Sequence, residues 1–120
     1  MLANKLTEVL RSLNSSSAEI EASAVVSIDG LTMASALSEG IDEDRVGAMT
    51  AAMLSLGTRT SAELRRGKLD QVMVKGERGY VLLASAGPEA VLVVVASEGA
   101  KLGLVFLDAK RAAAKVAESI

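Results

Sequence analysis

The sequence predicts an α/β fold of the α+β kind: one five-stranded antiparallel sheet with a long helix on one face and the terminal helices on the other, in the order αββαβββα. Three observations carry this. The spacing of apolar residues switches repeatedly between the helical period of about 3.6 and the strand period of about 2. Turn residues separate the strand-like stretches so closely that successive strands must be antiparallel neighbours. Finally, Ala90-Val91-Leu92-Val93-Val94-Val95-Ala96 is apolar without alternation, as in a strand covered on both faces.

Leu2, Leu6, Val9, Leu10 and Leu13 recur at helical spacing, so the first dozen residues read as a short amphipathic helix. The polar run Asn14-Ser15-Ser16-Ser17 is expected to end it. From Ala18 the period becomes two. Ile20, Ala22, Ala24, Val26 and Ile28 alternate with Glu21, Ser23, Val25, Ser27 and Asp29, which predicts a strand with one buried face. Asp29-Gly30 then predicts a two-residue hairpin turn into a second strand over Leu31 to Ser38. An aspartate can also serve catalysis or metal binding, but the turn already accounts for both residues.

The long helix starts after Ser38-Glu39-Gly40, with Asp42 as N-cap and Glu43 and Asp44 favoured by the helix dipole. Ile41 and Val46 have the spacing of a hydrophobic staple. The acidic trio could be read as metal ligands, yet no second group of ligands accompanies it. Gly67, after Arg65 and Arg66, is expected to close the helix. Leu69 to Val74 and Tyr80 to Ala86 read as strands joined through Lys75-Gly76-Glu77-Arg78-Gly79, and Gly87-Pro88-Glu89 turns into the apolar strand. A last helix follows, with Leu102, Val105, Phe106, Ala109, Ala113, Val116, Ala117 and Ile120 at helical period. The chain, 120 residues long, is expected to be one domain over 1–120.

Composition removes several function classes. Without cysteine or histidine there can be no disulfide, thiol nucleophile, Cys/His zinc site or His-based triad. A net charge of −2, from 13 basic and 15 acidic residues, offers no electrostatic reason for nucleic acid or an anionic membrane as partner. No apolar run approaches the roughly 18 residues of a membrane span, and no basic region precedes an apolar one at the start, so a cytoplasmic protein is expected. Neither G-x-x-x-x-G-K-[ST] nor G-x-G-x-x-G occurs, nor S-x-x-K at a helix start. The expected protein is therefore not an enzyme, with no catalytic residue, cofactor or metal.

The long helix carries the most specific signal. At about 100° per residue from Val46, the residues Met49, Met53, Leu56, Thr60 and Leu64 fall within about 80°, a stripe expected to face the sheet. Gly47, Ala51, Leu54, Thr58, Ser61 and Ala62 occupy another flank, from about 60° to 160°. Such residues can be ordinary solvent-facing positions. Two interior glycines each cost about 1 kcal/mol relative to alanine, however, and no lysine stands between Lys5 and Lys68. The small flank is expected to admit a second helix, that of another copy, which makes these six residues the expected homodimer interface.

Ala24-Val25-Val26-Ser27-Ile28-Asp29-Gly30-Leu31, the helix opening at Asp42-Glu43-Asp44, and Val91-Leu92-Val93-Val94-Val95 followed by Leu102-Gly103-Leu104-Val105 resemble the Roadblock/dynein light-chain family from about residue 6 onward. The resemblance implies a homodimer whose sheets join edge to edge while the long helices pack side by side. It also implies a non-enzymatic platform for a Ras-like small GTPase, as in the gliding-motility regulators of the family, or else a structural adaptor in a motor or signalling complex. On that reading Arg45, Arg59 and Arg66, on the charged flank of the helix, are the expected GTPase contacts.

Overall fold

A computed structural model describes residues 1–120. The elements follow the predicted order: α1 (Leu2–Ser16), β1 (Ile20–Ser27), β2 (Thr32–Ala36), α2 (Glu43–Glu63), β3 (Gln71–Gly76), β4 (Gly79–Ser85), β5 (Ala90–Ser97) and α3 (Leu102–Ser119). The strands form one antiparallel sheet in the order β2-β1-β5-β4-β3. The unalternating apolar strand is β5, at its centre. Its residues divide between two cores, Leu92 and Val94 facing α1 and α3, Val91 and Val93 facing α2.

The two faces are covered unequally. Leu6, Leu10 and Leu13 of α1 and Val105, Ala109, Ala113 and Val116 of α3 close one face as a continuous core with Val25, Leu82, Leu92 and Val94. On the other face the buried cluster is smaller, Ala24, Val26, Leu83, Val91 and Val93, beneath Met53 and Leu54 of the single helix α2.

Three local expectations are corrected. Helix α1 runs through Asn14, Ser15 and Ser16 rather than ending there. The serine hydroxyls donate back to the carbonyls of Arg11 and Leu13. The Asn14 amide donates to Ala36 O at 3.1 Å and its oxygen accepts from buried Ser23 at 2.7 Å, so tertiary bonds hold the polar run helical. Strand β1 is buried on both faces, because α2 covers Ala24 and Val26 while α1 covers Ser23 and Val25. Its register shifts between Ile20 and Ala22, a bulge at Glu21 that sends Ile20 to the face opposite Ala22 and Ala24. The hairpin has three loop residues, not two. Ser27 N–H donates to Leu31 O at 2.8 Å, and Gly30 closes the turn at φ 92° with its N–H on Ser27 O at 2.9 Å.

That hairpin locates α2. Asp42 caps the helix, its carboxylate accepting from Asp44 N–H at 2.9 Å. Thr32 donates to the Glu43 carbonyl at 3.0 Å, and the Ser35 hydroxyl donates to the Glu43 carboxylate. One turn on, Gly47 lies against the backbone of Gly30: a Cβ on Gly47 would run into the Gly30 carbonyl oxygen. A helix and a turn thus touch backbone to backbone, which only glycine allows here.

Gly47→Ala should lower the free energy of unfolding in urea by about 2 kcal/mol, since the new methyl must displace backbone rather than a flexible side chain. Gly103→Ala, where a Cβ meets nothing within 4 Å, should raise it by about 0.5–1 kcal/mol.

Candidate interaction surface

Helix α2 is rotated from the expected assignment: Met53 of the expected stripe packs on the sheet, but most of that stripe faces outward and part of the small flank faces in. Most of the residues turned to the sheet are small. Gly47 and Thr50 are buried, and Ala51, Leu54, Gly57 and Ser61 are half-buried. A Cβ on Gly57 would stand 3.1 Å from side-chain atoms of Leu69 and Val72, so this position also sits close over its own strand β3. The large residues face outward instead: Met49, Leu56 and Leu64 are 56%, 66% and 66% exposed. Hydrophobicity was the wrong guide to orientation here. The close seat on the hairpin demands absence of side chain, and that demand turns the glycine side inward.

Of the six residues expected to meet a second copy, Gly47, Ala51, Leu54 and Ser61 are therefore engaged by their own chain, while Thr58 and Ala62 are exposed. The Ser61 hydroxyl donates to Gly67 O at 2.6 Å and ties down the helix end. The end comes earlier than expected. Arg65, at φ 55°, adopts the left-handed conformation that Gly67 was expected to supply, with Arg65 N–H on Ala62 O and Arg66 N–H on Ser61 O.

Beside the exposed Met49–Leu64 stripe lies the edge strand β3. A groove of about 470 Å³ runs between them, lined by Met53, Leu56, Leu64, Leu69, Val72 and Val74. The two sheet edges differ in kind. At β2 the strand is short and bulged between Thr32 and Ala34, and Asn14 occupies the Ala36 carbonyl. At β3 all six residues keep regular register with β4, and no backbone group bonds elsewhere. A regularly registered open edge with an exposed apolar helix flank beside it is a surface available for pairing. Sequence reading missed Met49, Leu56, Leu64 and Val74 as surface residues because it took apolar for buried. The signal that could have found them is the glycine pair, Gly30 and Gly47, which sets the helix rotation.

The three arginines do not converge. Arg45 stands 3.8 Å from Asp42. Arg66 donates through Nε to Leu64 O at 3.0 Å and lines the β3-side groove. Arg59 lies on the opposite flank, lining a second groove with Ala51, Leu54, Thr58 and Ala62. No group of three or more carboxylates is placed to hold a metal ion, and no helix is long and apolar enough to cross a membrane.

The Roadblock/LC7 domain family matches residues 6–96, from α1 through β5. Two uncharacterized proteins of Methanocaldococcus jannaschii are each 41% identical over 111 residues, covering 92% of this chain and 96% of the relative. Among solved structures, a Roadblock/LC7 domain of Streptomyces avermitilis is 31% identical with a TM-score of 0.66, covering 92% of this chain and 97% of that one. Myxococcus xanthus MglB shares the fold at a TM-score of 0.88 and 21% identity, covering 96% and 86%.

Proposed function

The chain belongs to the Roadblock/LC7 domain family, and on that premise we propose that it is a cytoplasmic, non-enzymatic homodimer that binds a Ras-like small GTPase and modulates its nucleotide cycle. The observation that carries the dimer is the joint exposure of the β3 edge and the Met49, Leu56 and Leu64 flank along one groove. A two-fold related copy satisfies both at once, pairing β3 with β3 while the outer flanks of α2 meet. The contact so formed lies on the large-residue flank of α2, in place of the small flank from which the sequence argument began. Gly47 cannot take part, being covered by Gly30.

Pairing two protomers makes one continuous sheet carrying two long helices side by side on a face, a broad platform rather than a pocket. This is the form in which the family resemblance implies GTPase binding. With Arg66 turned toward the β3-side groove, Arg45 and Arg59 are the arginines left on the outer surface for that partner.

Sedimentation at micromolar concentration should give twice the 12.3 kDa protomer mass. Leu56→Glu combined with Leu64→Glu should return it to the protomer mass, whereas Ala62→Trp should leave the dimer intact. A small GTPase encoded beside this chain should change its hydrolysis or exchange rate when the protein is added, and Arg45→Glu should weaken that effect. Binding that ignores nucleotide state would mark a structural adaptor instead.

A further inference from the structure

Along the other flank of α2 the surface is again open, as far as Gln71 at the start of β3. A groove of about 670 Å³ runs there between the helix and the ends of β1, β4 and β5. Ala51, Thr58 and Ala62 form its helical wall, and exposed Ile28 with half-buried Leu54 and Leu69 its accessible apolar surface, above the buried Leu83 and Val91. Larger side chains at Thr58 and Ala62 would narrow it, so the small residues of this flank have a second consequence beyond the close seat on the hairpin.

Its rim is basic. Arg59 and Lys68 both line it, and neither has a carboxylate within ion-pair distance, the one ion pair of the chain being Arg45 with Asp42. Asp70 is the single acid on the lining. With Arg66 turned to the β3-side groove, the surrounding stretch Arg59 to Lys68 still holds three cations (Arg59, Arg65, Lys68) against Glu63 alone, in a chain whose net charge is −2. A positive field is therefore localised beside an apolar trough on an otherwise acidic protein.

We propose that this groove is a docking site for a short acidic peptide segment of a partner protein, its carboxylates on Arg59 and Lys68 and one or two apolar side chains on Ile28, Leu54 and Leu69. Charge complementarity selects the acidic character, and the accessible apolar surface selects the anchors. A small molecule suits the site less well, because pockets for such ligands enclose most of the ligand surface, whereas this one is an open trough between a helix and strand ends. The site shares Leu69 and Gln71 with the β3-side groove and Arg59 with the surface proposed for the GTPase, so the experiment separates the readings through Thr58, Lys68 and Leu56.

The test uses the full chain and a fluorescein-labelled peptide Glu-Glu-Leu-Glu-Glu-Leu, with Lys-Lys-Leu-Lys-Lys-Leu as its charge-reversed control. Anisotropy should show the acidic peptide binding about tenfold more tightly than the basic one, and more weakly as salt rises from about 0.05 to 0.5 M. Thr58→Trp combined with Lys68→Glu, both at exposed positions, should weaken binding about tenfold while circular dichroism stays unchanged. Leu56→Glu should not alter it, which separates this site from the dimer surface. Equal binding of the two peptides, no binding at about 1 mM, or indifference to the double variant would overturn the proposal. Octanoate shifting the groove amides as strongly as the peptide does would assign the site to a small amphiphile and overturn it too.

Discussion

A five-stranded sheet at the usual strand spacing is roughly 24 Å wide, and one helix with its side chains covers only about 10 Å of it. This mismatch governs the molecule. The face toward α1 and α3 has two helices and is closed, with a continuous buried core. The face toward α2 has one, so cover is incomplete on both sides of the helix. The two grooves beside α2, about 470 and 670 Å³, are the direct result. Whatever this protein contacts, the unfinished face is where its own chain has left contacts to be made.

Within that constraint, the position of α2 is decided by very little matter. Gly30 turns the hairpin at positive φ, and Gly47 lets the first turns of the helix rest on it. Hydrogen bonds from Thr32 and Ser35 to Glu43 hold the same end. Once the glycine side is inward, the opposite side must face out, and it carries Met49, Leu56 and Leu64. Exposed apolar surface of this kind is costly to leave in water. Its alignment with the unprotected β3 edge, while β2 is bulged and tied to Asn14, makes the two parts one surface.

The flanks then separate by chemistry. On the β3 side the lining is Met, Leu and Val with open backbone beyond it, suited to a copy of the same surface. On the other side the wall is alanine and threonine and the rim is Arg59 and Lys68, suited to an acidic guest. One helix can serve two partners because its small residues are not interchangeable: Gly47 makes contact with its own hairpin, whereas Thr58 and Ala62 leave room.

The sequence by itself determined the element order, the antiparallel sheet, the doubly covered strand β5 and the Asp42 cap, because each rests on local periodicity or on a bond between near neighbours. It also carried enough order and spacing to identify the family. It did not determine that Asn14 to Ser16 stay helical, that a bulge at Glu21 turns Ile20 away from Ala22, or that Arg65 ends α2, since tertiary hydrogen bonds and register decide these. Nor did it orient α2. The helical period separates two flanks but does not say which one faces inward; hydrophobicity favoured the Met and Leu stripe, and the backbone contact of Gly47 with Gly30, seventeen residues behind it in the chain and legible only in three dimensions, favoured the other and won. Overlap with backbone cannot be relieved by a rotamer change, whereas an exposed leucine can still be buried by a partner.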